Sequence, residues 1–98
     1  PEFDAGRRLA DELSTPTILE KLTIGPNHSM AELVVPKSMA NRSLAQLDLR
    51  SKYGVAVLLV QRGDHLEVSP RADFILLPGD LLFILGRNER VQTFCAHE

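Results

Sequence analysis

The sequence predicts an α+β domain: a small mixed or antiparallel sheet with flanking helices, preceded by a connecting helix. Three observations carry this. Val55–Val60 and Leu81–Leu85 are unbroken apolar runs of strand length. Apolar and polar residues alternate on both sides of the turn-forming stretch Gly25-Pro-Asn-His-Ser29. Ser43 to Gly54 carries the start and stop signals of one short helix.

Taken in order, Asp4 can cap a first helix over about Ala5–Leu13, where Ala5, Leu9 and Leu13 form a narrow apolar stripe. A stripe so narrow suits a connecting or partner-docking helix, or a solvated helix resting on its own domain. Ser14-Thr-Pro16 breaks it. Residues 1–16 are read as a connecting helix. Residues 17–98 are read as the folded domain. The abrupt, Met-less beginning fits a piece of a longer protein.

Ile18, Leu22 and Ile24 mark one strand and Met30–Val35 a second, joined as a hairpin. Pro36–Arg42 is a polar loop with the cations Lys37 and Arg42. Ser43 is a good N-cap and Gln46 completes a capping box, while Gly54 sits where a helix takes its left-handed final residue. On that helix Leu44 and Leu47 point one way, and Ala45, Leu49 and Tyr53 cover a second sector. Two apolar sectors imply contact on two sides, one being the sheet and the other a second subunit. Val55–Val60 follows as a strand covered on both faces. Arg62-Gly-Asp64 turns it into a partner strand, His65–Ser69, which Pro70 ends. Phe74–Leu77 is a short strand or a loop. Pro78-Gly79 is a turn, Leu81–Leu85 a central strand closed by Gly86, and Asn88 caps a last helix with Val91, Phe94 and Cys95 inward.

Composition narrows the function classes. The 98 residues carry 11 basic and 13 acidic side chains, a net charge of −2, which gives no electrostatic case for a nucleic-acid polymer or an anionic membrane surface. No run is long enough to insert into a bilayer. The single Cys95 excludes an internal disulfide and fits a reducing compartment. There is no G-x-G and no P-loop; His28, His65 and His97 lack metal-ligand spacing; and the serines lie at turns, caps and strand ends. Enzyme chemistry is not predicted. Arg50 stands out on the short helix: as a solvated residue it complements the helix dipole, and as a fork-shaped cation beside Leu44 it could clamp an anion.

Several stretches together resemble an RCK C-terminal domain, also called TrkA-C. They are Glu-Leu-Val-Val-Pro36, Ser-Leu-Ala-Gln-Leu-Asp-Leu-Arg50, Lys-Tyr-Gly-Val55, Val-Ser-Pro70 and Leu-Pro-Gly-Asp80-Leu-Leu-Phe-Ile-Leu-Gly86. The likeness covers about Thr17–Phe94 and rests on their order and spacing. Pro1-Glu-x-x-Ala-Gly-Arg-Arg-Leu-Ala10 is similar to the helix that follows the nucleotide-binding half in KtrA- and TrkA-type proteins, so the resemblance implies that residues 1–16 connect to an N-terminal nucleotide-binding domain outside this chain; Ile24-Gly-Pro-Asn-His-Ser-Met-Ala-Glu-Leu33 is similar to KtrA-like members. The resemblance implies a regulatory lobe that forms a homodimer, is cytoplasmic, and sits peripheral to the membrane through a potassium channel or transporter partner. It implies no cofactor within this fragment but a small effector, cyclic di-AMP, bound at the dimer interface. By motif, the ligand-binding positions fall on Leu44, Arg50 and Pro70, with Ala56 standing where many binders carry asparagine and Val57 beside it. Alternatives are a purely structural assembly module without ligand, and the same lobe regulating a cation/proton antiporter.

Overall fold

The computed structural model describes residues 17–96. The expected helix over Ala5–Leu13 lies outside the described residues. Five strands form one sheet: β1 (Thr17–Ile24), β2 (His28–Val34), β3 (Ala56–Arg62), β4 (His65–Val68) and β5 (Leu81–Arg87). Their order is β1-β2-β5-β3-β4, and every neighbouring pair is antiparallel. Helices α1 (Leu44–Leu47) and α2 (Leu49–Tyr53) lie between β2 and β3 in the chain, and α3 (Asn88–Ala96) follows β5. The predicted fold class and the central place of the Leu81 strand are observed; the sheet is antiparallel throughout.

Pairing register sorts each strand into two faces, because side chains alternate. Ala31 opposes Ile84, Leu33 opposes Leu82, and Leu82 opposes Val60; all are buried. This face carries the core, joined by Val35, Met39, Leu47, Leu49, Val55, Leu76, Val91 and Phe94. Phe94 also meets the ring of Tyr53 edge to face at 5.1 Å, which ties α3 to α2. Cys95 is packed against the core but only partly buried.

Several sequence expectations change in detail. The single helix after Ser43 is two short ones, because Asp48 adopts the left-handed conformation, φ 50°, between them. That kink turns both Leu47 and Leu49 into the core, so most of the second apolar sector is covered by the chain itself. Phe74–Leu77 is a loop, with one isolated bridge between Ser43 and Ile75. Gly86 does not close the last strand, which runs on to Arg87. The Val55–Val60 run is covered on one face only: within β3 Val60 is buried, whereas Ala56 to Leu59 are half-buried.

Candidate functional site

The capping box forms as the sequence indicates. Gln46 N donates to Ser43 Oγ at 3.1 Å, and Ser43 N donates to Gln46 Oε1 at 2.9 Å. This fixes the start of α1. The next two amides, of Leu44 and Ala45, donate to the carbonyls of Phe74 and Ala72 at 3.0 and 2.8 Å. The first turn of the helix is thereby stapled to the loop that follows Pro70. At the other end Gly54, φ 72°, donates to the carbonyls of Leu49 and Arg50 and sends the chain into Val55 and β3.

Between these fixed parts lies a cleft of about 320 Å³. All five predicted ligand residues line it: Leu44 from α1, Arg50 from α2, Ala56 and Val57 from β3, and Pro70 from the end of the β4 segment. β4 pairs with β3 only from Leu59 onward, so the chain at Ala56–Leu58 has no regular strand beside it on that flank. A bulge between Val57 and Leu59 accompanies this, and the Ser69 amide donates to the Leu58 carbonyl at 2.8 Å. The cleft therefore occupies the gap left where β4 stops short.

Arg50 is exposed, and among the described residues it makes no ion pair or hydrogen bond from its side chain. Its planar guanidinium has the geometry to donate two parallel hydrogen bonds to an oxyanion such as a phosphate. Asp48 also lines the cleft, a residue the sequence reading did not single out. Its carboxylate opposes a bound anion, so Arg50 must outweigh it. The signal that would have found it is an acidic residue between two leucines that both turn inward. Leu44 and Val57 are half-buried and packed against the core, which gives the cleft an apolar wall.

Other candidates sit elsewhere. Arg42 lines a smaller cleft of about 110 Å³ with Ser38, Lys52 and Tyr53; Lys37 lines neither cleft. His28 and His65 are exposed, and His65 Nε2 lies 2.9 Å from Glu67 Oε1. Burial pushes the Cys95 thiol up from its ordinary pKa. Among the described residues no cluster of three or more His, Cys, Asp or Glu side chains has metal-binding geometry, and no helix is long and apolar enough to cross a membrane.

A small antiparallel five-stranded sheet backed by helices matches the fold of an RCK C-type regulatory domain. The chain belongs to the TrkA-C domain family, whose pattern matches residues 30–97. It is 31% identical over 94 residues to Ktr system potassium uptake protein C of Bacillus subtilis, covering 96% of this chain and 42% of that protein. It is likewise 31% identical over 91 residues to Ktr system potassium uptake protein A of Vibrio alginolyticus, covering 93% of this chain and 41% of the relative. The chain thus spans about two fifths of the length of these relatives. Among solved structures it is similar to the regulator-of-conductance-of-K+ (RCK) C domain of the potassium transport protein KtrA in complex with cyclic diadenosine monophosphate. There the TM-score is 0.67 and the identity 32%, over 70% of this chain and 81% of that one. The GsuK RCK domain shares the fold, with a TM-score of 0.72 at 20% identity over 89% of this chain and 19% of that one.

Proposed function

We propose that this chain is the effector-sensing, dimerising lobe of a cytosolic regulator of potassium transport, and that its cleft takes half of a cyclic dinucleotide such as cyclic di-AMP. The observation that carries the reading is the convergence of Leu44, Arg50, Ala56, Val57 and Pro70 on one cleft. These residues come from four separate stretches of chain. A volume of about 320 Å³ is at the small end for ligand pockets. That suits one nucleotide unit per chain, with a second copy holding the other. The similarity to the KtrA domain that binds this ligand supports the choice of chemistry.

In the dimer, two Arg50 side chains related by a two-fold axis face the two phosphates of a symmetric ligand. Leu44 and Pro70 pack on the bases. The ligand shifts the regulator only if it fits one arrangement of the two lobes better than another, and that difference is what reaches a membrane channel or transporter partner. The lobe thereby acts at the membrane without entering it. A second reading, a structural dimerisation module that has lost its ligand, is favoured by Ala56, which offers no side-chain amide.

Calorimetric titration with cyclic di-AMP tests the proposal. Saturable heat with the natural chain, weakened more than tenfold in Arg50→Ala, is expected from the loss of roughly 1.5–3 kcal/mol for a charged hydrogen bond. Absence of heat in both would leave only the assembly role.

A further inference from the structure

Asp48 is the point at which the helix after Ser43 breaks in two. Its left-handed backbone, φ 50° and ψ 51°, ends α1 and starts α2. The break turns Leu47 and Leu49 into the core together. Glycine or asparagine adopts that conformation at least as readily as aspartate, and neither carries a charge. The bend therefore accounts for the backbone and leaves the carboxylate without a reason.

Local structure does not use the carboxylate. An aspartate at the start of a helix ordinarily accepts an amide N–H from the first turn. Asp48 makes no such bond, and among the described residues its side chain has no ion pair or hydrogen bond. α2 is five residues long, so its dipole offers an anion little. Asp48 instead lines the cleft together with Arg50. Among the described residues these two are the charged side chains of the cleft, opposite in sign and not paired with each other. In a cleft that takes a phosphate, an acid so close to the cation weakens binding unless another part of the ligand meets it.

The chemistry of that part follows from the acid and its place. An ionised carboxylate only accepts hydrogen bonds, so the ligand must present an N–H or O–H donor. The Asp48 amide donates to the Leu44 carbonyl at 2.8 Å, which sets Asp48 one turn beyond Leu44. Leu44 and Ala45 form the apolar wall at the α1 end of the cleft, whereas Arg50 stands on α2. A base packed on Leu44 thus brings its edge, rather than the sugar, toward Asp48. On adenine the donor at that edge is the exocyclic amine. We infer that Asp48 is a specificity-determining residue: its carboxylate accepts a hydrogen bond from the base amine, and the cleft thereby selects cyclic dinucleotides whose bases carry an amino group. The inference rests on the effector reading above and adds to it the part of the ligand that is read.

Calorimetric titration with two ligands and three chains tests it. The ligands are cyclic di-AMP and its analogue in which hydrogen replaces each exocyclic amine. The chains are the natural one, Asp48→Asn and Asp48→Gly. Both replacements suit the left-handed turn; the first removes the charge and keeps one acceptor, and the second removes the acceptor. Circular dichroism checks that each folds. The natural chain is expected to prefer cyclic di-AMP by at least about tenfold, the effect of one hydrogen bond to a charged acceptor. That preference should shrink in Asp48→Asn and fall to about twofold or less in Asp48→Gly. A natural chain that does not distinguish the two ligands overturns the inference, as does a preference that is equal in all three chains. So does an Asp48→Gly chain that binds both ligands more tightly by one common factor, since the carboxylate then only repels phosphate. A 2′-deoxy analogue of cyclic di-AMP that binds more weakly to the natural chain, but not to Asp48→Gly, would assign the bond to the sugar and overturn it too. Absence of heat from cyclic di-AMP with the natural chain removes the effector reading and this inference together. Heat with an unchanged preference removes this inference alone.

Discussion

Arg62, at the end of β3, grips the buried carboxylate of Asp80 with two parallel bonds: Nε to Oδ1 at 2.9 Å and Nη2 to Oδ2 at 2.7 Å. The same guanidinium donates to the Ile75 carbonyl at 2.9 Å and lies 5.0 Å from the centre of the Phe74 ring. Asp80 in turn accepts the Leu77 amide at 2.8 Å. The hydrogen bond from Arg62 to Asp80 chiefly holds the guanidinium pKa above its ordinary value. These contacts clamp the loop between β4 and β5 to the sheet, and that loop carries the carbonyls that hold the start of α1. Asp80→Ala is expected to cost about 2–3 kcal/mol, at or just below the range for breaking a fully buried pair, because Arg62 is itself 38% exposed. Arg62→Ala should cost at least as much, since it leaves the Asp80 carboxylate buried at 2% exposure without its cation. Urea denaturation of the three proteins measures both.

Gly54 and Gly79 are expected to behave alike on substitution although their surroundings differ. Both have positive φ, 72° and 87°. A Cβ on Gly54 would come 3.2 Å from Arg90 Cδ, the movable part of a long side chain, while one on Gly79 would meet nothing within 4 Å. Conformational strain dominates in each, so Gly54→Ala and Gly79→Ala should each lose about 1–2 kcal/mol. Thermal melting should show falls of the order of 4–16 °C for a domain of this size. A much larger loss at Gly54 would mean that Arg90 is held in place.

Cys95 gives the protein a pH-dependent term on the alkaline side. Burial raises its pKa above that of the unfolded thiol. Between those two values the unfolded chain has lost the proton and the folded chain keeps it, so stability falls as pH rises. The loss should begin near the ordinary thiol pKa of about 8.5. Denaturation midpoints across this window should decline in the natural chain, and the part due to the thiol should vanish in Cys95→Ala. Labelling by a thiol reagent should be slower in the folded than in the unfolded protein at the same pH.

Much of this was legible from residue order. The capping box at Ser43 and Gln46, the left-handed Gly54, the hairpin at Gly25 and the central Leu81 strand are local signals with local causes. Arg50 beside Leu44 was legible from residue type and position, whereas Ala56, Val57 and Pro70 were legible only through resemblance, since nothing in its type separates Pro70 from an ordinary strand terminator. What escaped is long-range. Asp80 carries no local signal in the sequence, because its partner Arg62 is 18 residues away. The Val55–Val60 run read as doubly covered because an apolar strand looks the same in sequence whether one of its faces is covered or both.

Ala56 offers a gain-of-function prediction. Ala56→Asn puts an amide at a half-buried position that lines the cleft. One added hydrogen bond is worth about 0.5–1.5 kcal/mol, so cyclic di-AMP should bind roughly 2- to 12-fold more tightly. Competition with a fluorescent analogue of the ligand reads this directly.

The most direct test of the central claim is the amide NMR spectrum of the chain with and without cyclic di-AMP. The account predicts saturable shifts confined to residues 44–57 and 69–72, with the Arg50 and Ala56 signals among the largest, and their loss in Arg50→Ala. Shifts centred on the Arg42–Lys52 cleft, or a spectrum unchanged at saturating ligand, would contradict it.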